Sequence, residues 1–113
     1  MQYMLLIYVP SDGSERAEPS AWTAYTEALQ QAGVMVAGDG LEPGDTASTV
    51  RVRDGETLVT DGPFAETKEM LGGYYLIDVP DLDAALAWAA KMPNITFGSV
   101  EVRPVMVYDV AQA

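Results

Sequence analysis

An α+β fold is predicted for this 113-residue chain, with two strand-helix-strand units sharing an antiparallel sheet and a β-hairpin inserted between them. Three observations carry the prediction. Tyr3 to Val9 is an unbroken apolar and aromatic run, as in a strand covered on both faces. Two later segments repeat apolar residues at the helical period, each between start and stop residues. Between them, two segments rich in β-branched residues flank Asp54-Gly55, the pair that fits a two-residue hairpin turn.

The elements follow in order. The first strand ends at Pro10-Ser11-Asp12-Gly13 and is expected to be central in its sheet. A helix opens at Pro19 or Ser20; Trp22, Tyr25, Leu29 and Ala32 fall on one face, and Gly33 stops it. Val34 to Ala37 reads as a short strand, and Gly38 to Asp45 as turn chemistry throughout. The hairpin pairs Thr49 to Arg53 with Glu56 to Thr60. Its turn sets Arg53 opposite Glu56 as an ion pair, Arg51 opposite Leu58 and Val50 opposite Val59. Asp61-Gly62-Pro63-Phe64 closes it, Ala65 to Leu71 reads as a loop or single helical turn, and Gly72-Gly73 leads into a strand from Tyr74 to Val79. Asp81 caps a second helix with the apolar stripe Leu82, Ala85, Leu86, Ala89 and Met92, flanked by Trp88 and ended by Pro93-Asn94. In the last strand Val100, Val102, Pro104, Met106 and Tyr108 alternate with Glu101 and Arg103. This βαββαβ order is the ferredoxin-like layout with an extra hairpin. Two helices cover one face of a sheet, so the apolar second face of the first strand calls for a second copy, a two-fold homodimer.

Composition narrows the chemistry. A chain of this length with 49% hydrophobic residues is expected to form a single domain over 1–113. It has no Cys and no His, which removes disulfides, thiol nucleophiles, thiolate or imidazole metal sites and any His general base. Six Lys and Arg stand against 17 Asp and Glu, a net charge of −11, which opposes direct nucleic-acid binding. The N-terminal segment has no basic stretch and its apolar run is too short for a signal or membrane helix, so a cytoplasmic protein without membrane association is expected.

The stretch Thr60-Asp61-Gly62-Pro63-Phe64-Ala65-Glu66-Thr67-Lys68-Glu69-Met70-Leu71-Gly72-Gly73-Tyr74-Tyr75-Leu76-Ile77-Asp78-Val79-Pro80 resembles the YCII-related family in its DGPF-domain branch. Tyr3 to Tyr8, Ala37 to Leu41, the hairpin and Val100 to Pro104 extend the resemblance over nearly the whole chain. It implies a dimeric α/β-barrel built on the ferredoxin-like fold. Enzyme-like relatives are thought to use a His-Asp pair in a pocket, but this chain has no His, including near Ala21 or Trp22 where the matching position falls. The DGPF branch is also associated with extracytoplasmic-function sigma factors, which implies such a factor as a partner.

Asp61-Gly62-Pro63-Phe64 is the sharpest local motif. Read structurally, it is a tight turn in which Asp61 accepts backbone N–H bonds, Gly62 supplies an unusual φ and Phe64 plugs the core. Read functionally, Asp61 is the best catalytic candidate, facing a pocket with Glu66, Lys68 and Glu69 in a mixed-charge cluster. Met4, Leu6 and Tyr8 share one face of the first strand and could line a cavity, leaving open which of Tyr74 and Tyr75 joins them. The expected ligand site is therefore Tyr8, Asp61, Phe64, Glu66 and Lys68 between sheet and dimer mate. The aromatics as a group, and Gly72-Gly73 as a bulge or close-packing site, read first as structure. Asp39, Glu42 and Asp45 lack calcium-loop spacing, so neither metal nor other cofactor is expected. Two functions result: a small-molecule-binding domain with weak carboxylate-based catalysis, or a non-catalytic accessory protein that binds a protein partner.

Overall fold

The computed structural model describes residues 1–108. Strand β1 (Gln2–Pro10) leads to helix α1 (Pro19–Gln31) and strand β2 (Met35–Gly40). After a 3-10 turn at Gly44–Thr46, β3 (Ser48–Arg53) and β4 (Glu56–Asp61) form the hairpin. β5 (Glu69–Asp78), α2 (Leu82–Ala89) and β6 (Ser99–Pro104) complete the order. The main sheet runs β2-β5-β1-β6, antiparallel throughout, with β1 inside it as expected; the hairpin is a separate two-stranded sheet. With the hairpin set aside, the order suits the ferredoxin-like layout.

Alternation along β1 divides the sheet into two faces. Tyr3, Leu5 and Ile7 are buried with Tyr75 and Ile77 of β5 against Tyr25 and Leu29 of α1 and Ala85 and Ala89 of α2. Met4, Leu6 and Tyr8 point to the opposite, helix-free face, together with Tyr74 and Leu76, and are only half-buried. Truncating a fully buried core residue such as Leu29 costs about 2–5 kcal/mol.

Several boundaries differ from expectation. β2 continues through Gly38-Asp39-Gly40, because pairing with Leu76, Tyr75, Tyr74 and Gly73 overrides the turn propensity of glycine. β5 likewise begins at Glu69, so the loop after the hairpin is short; Gly72 is a bulge, skipped where Ile7 pairs Gly73 and Tyr8 pairs Leu71. On α2, Asp81 caps the helix by accepting from the Ala84 N–H at 2.9 Å, but Leu82 and Leu86 are 47% and 46% exposed. The buried stripe is Ala85, Ala89 and Met92, with Trp88 packed at its edge. β6 stops at Pro104, leaving Met106 and Tyr108 exposed outside the sheet.

The hairpin register is the expected one, with Arg53 opposite Glu56, Arg51 opposite Leu58 and Val50 opposite Val59. Asp54 at φ 50° and Gly55 at φ 80° give the turn its two positive φ angles. The expected ion pair is not made: Arg53 Nη1 donates to the Val52 carbonyl at 2.9 Å instead. The hairpin stands away from the core, with Val50, Val52 and Val59 on one exposed face.

Candidate functional site

A cavity of about 550 Å³ lies on the helix side of the sheet. Trp22 and Thr26 of α1 form one wall, Ile7 and Val9 of β1 another, and Tyr75, Met35 and Met70 fill in between them. Its floor is glycine. Gly38 and Gly40 of β2 and the bulged Gly72 of β5 line it, so three neighbouring positions send no side chain into the space. At Gly38 the bareness is obligatory: a Cβ there would sit 2.6 Å from Cδ1 of Tyr75. At Gly40 a Cβ would meet nothing within 4 Å.

Tyr75 is fixed from two sides. Its hydroxyl and Thr26 Oγ1 share a hydrogen bond of 2.7 Å, and its ring meets Tyr25 edge-on at 5.3 Å. A single bond between two hydroxyls leaves one O–H free to donate. Tyr25 donates to the Trp88 carbonyl at 2.8 Å, and its burial holds that phenol well above the ordinary value. Polar groups at the rim are few. Arg16 and Glu15 come from the segment between β1 and α1, whereas Asp39 lines the space but turns its carboxylate to accept from Tyr74 OH at 3.1 Å. That bond and the charge behind it raise the Tyr74 phenol above its usual range.

The residues expected as a site are dispersed. Asp61, Glu66 and Lys68 meet in a second, more open cleft with Ser11, Asp45 and Pro63 at the base of the hairpin. The turn there is held by other groups than expected. Gly62, at φ 97°, donates its N–H to the Ala47 carbonyl at 2.6 Å, and Thr49 Oγ1 donates to the Gly62 carbonyl at 2.9 Å. Among the described residues nothing donates to the Asp61 carboxylate. Phe64 does not plug the core: it is 77% exposed, with the Arg51 guanidinium 5.3 Å from its ring centroid. Tyr8 sits on the helix-free face, donating to Glu101 Oε1 at 3.3 Å, while Arg103 Nε donates to Glu101 Oε2 at 2.7 Å. Desolvation, reinforced by Glu101, raises the Tyr8 phenol; the Arg103 hydrogen bond lowers the Glu101 carboxyl. Within one chain, then, Tyr8, Asp61 and Phe64 share no cavity. Tyr74, not Tyr75, is the tyrosine that joins Tyr8.

Sequence reading missed Arg16, Thr26 and the glycine floor. A signal was present: Gly38-x-Gly40 has the two-residue spacing that puts both positions on one face of a strand, and Gly72-Gly73 is a second bare pair; glycines in strands also arise where a ligand or another backbone approaches closely. Among the described residues, no group of three or more acidic side chains is placed to hold a metal ion, and no helix is long and apolar enough to cross a membrane.

Comparison with known proteins adds the family. The YCII-related domain profile matches residues 1–109. An uncharacterised protein of Rhizobium meliloti (strain 1021) is 53% identical over 70 residues, covering 60% of this chain and 56% of that protein. The match thus spans little more than half of the relative's length.

Proposed function

The chain belongs to the YCII-related family, and from that premise we propose that it is a small-molecule-binding domain whose ligand occupies the cavity between α1 and the glycine floor. The observation that carries this reading is the cavity itself, of ligand-sized volume and walled mostly by apolar groups around one fixed hydroxyl pair. The His-Asp chemistry implied for enzyme-like relatives has no residue to perform it here, since His is absent. Carboxylate-based turnover is a subordinate part of the proposal and belongs to the second cleft, apart from this cavity, where Asp61 and Glu66 lie with Lys68.

The neutral fluorophore N-phenyl-1-naphthylamine tests the reading. Its emission rises on entering an apolar cavity, and Gly40→Leu, which places a side chain into open space on the cavity side of β2, abolishes the rise. An equal response from both proteins contradicts the reading.

The helix-free face completes the proposal. Met4, Leu6 and Leu76 are half-buried there with no helix above them, and a two-fold copy of the same face would cover them as a dimeric α/β-barrel of the DGPF branch. Sedimentation equilibrium at micromolar concentration is expected to give twice the chain mass; a monomer refutes the pairing. A second reading, an accessory protein docking on a protein partner such as a sigma factor, is favoured by the valine face of the hairpin, where Val50 and Val59 are 62% and 65% exposed. A pull-down with the parent and with Val50→Ser/Val59→Ser distinguishes it: the partner is retained only by the parent.

A further inference from the structure

Resting on the reading of the helix-side cavity as a ligand site, we propose that its ligand is an amphipathic monoanion, an apolar body carrying a single acidic group that pairs with Arg16. The walls decide the first half: Ile7, Val9, Trp22 and Met35 offer a buried charge no partner, so a charged group must sit at the rim. The charges at that rim decide the second. Asp39 lines the cavity with its backbone side while its carboxylate is engaged by Tyr74 on the other face of the sheet. Arg16 is the cation of the lining, and among the described residues it makes no ion pair.

The other five basic residues are placed elsewhere: Arg103 pairs with Glu101, Arg51 lies over Phe64, Lys91 lies over Trp88, Arg53 binds the Val52 carbonyl, and Lys68 belongs to the second cleft. An uncommitted guanidinium beside an apolar space is a planar donor for a carboxylate, sulfonate or similar group. Its segment is shaped locally: Gly13, at φ 71°, closes a turn onto the Pro10 carbonyl, and Asp12 accepts the Ser14 N–H at 2.9 Å. Glu15 at the same rim limits the ligand to one negative charge, because a second would face its carboxylate. At the inner end, the free O–H of the Thr26–Tyr75 pair can donate to a neutral acceptor on the ligand body.

Two probes differing by one sulfonate test this directly: N-phenyl-1-naphthylamine and 8-anilino-1-naphthalenesulfonate, titrated against the whole chain, Arg16→Gln and the cavity-filled Gly40→Leu. The expected result is that the sulfonate binds about three- to tenfold more tightly than its neutral counterpart, despite the −11 net charge. That ratio falls to about one or below in Arg16→Gln and shrinks with added salt. A ratio at or below one in the parent, or one unchanged by Arg16→Gln, overturns the anion assignment while leaving the cavity reading intact. Failure of both probes to bind, or binding that survives Gly40→Leu, overturns the cavity reading and this inference with it.

Discussion

Gly38→Ala is the substitution whose consequence the geometry defines most tightly. The added methyl would lie 2.6 Å from Cδ1 and 3.1 Å from Cε1 of Tyr75, with the Tyr74 carbonyl at 3.2 Å. Contacts below 3 Å demand movement, and each route is blocked. The ring is buried, its hydroxyl is bonded to Thr26 and its edge is packed on Tyr25, while the backbone of β2 is paired to β5 at this same position. Overpacking of this kind costs about 1–3 kcal/mol, or about 4–15 °C in melting temperature for a domain of this size. Gly40→Ala, two residues along the same strand, is the internal control. Its methyl meets nothing within 4 Å and its φ is not positive, so reduced freedom of the unfolded chain makes it neutral or stabilising by up to about 1 kcal/mol. Thermal melts followed by circular dichroism measure both variants. Equal melting temperatures, or Gly38→Ala the more stable, would refute the close approach of β2 to Tyr75 and with it the shape assigned to the cavity floor.

Two further outcomes are expected. Because burial raises the Tyr25 phenol above its ordinary value of 10, the folded chain holds that proton where the unfolded chain releases it. Its stabilisation is complete below pH 10 and is lost as pH rises through the raised folded value. Tyr25→Phe therefore costs about 0.5–1.5 kcal/mol at neutral pH through the lost bond to the Trp88 carbonyl. The variant also shows a shallower alkaline loss of stability in melts from about pH 8 to about pH 11, and parallel curves for variant and parent would contradict this. Asp61→Ala shifts stability by less than about 0.5 kcal/mol, since Gly62 and Thr49 hold the turn without its carboxylate. A loss above 1 kcal/mol in denaturant titration would instead show that Asp61 caps the turn, where such losses run to about 1–2 kcal/mol.

The elements themselves were legible because each carries a local signal: the continuous apolar β1, the Pro19 and Asp81 starts, and Asp54-Gly55 with its fixed register. Legibility failed where pairing across the sheet outweighs local propensity. Gly38-Asp39-Gly40 reads as turn on composition, yet it is held extended by β5, and the same event explains both the misplaced strand end and the unseen cavity floor. On α2 the apolar period is real, but the helix turns small residues, Ala85 and Ala89, toward the sheet and leaves Leu82 and Leu86 outside. The motif Asp61-Gly62-Pro63-Phe64 drew attention through rarity, while Arg16 and Thr26 carry no sequence motif and acquire meaning only when α1 is laid across the sheet.

In the proposed function, ligands bind on the helix side of the sheet, over the glycine floor. Two-dimensional ¹H–¹⁵N NMR of the labelled chain, titrated with 8-anilino-1-naphthalenesulfonate, tests it most directly. The largest shifts are expected at the Trp22 indole N–H and at the Gly38, Gly40 and Gly72 amides, all of which border the cavity. Shifts confined to Leu6, Tyr8 and Glu101 on the helix-free face, or to Asp61 through Lys68 at the base of the hairpin, would contradict it.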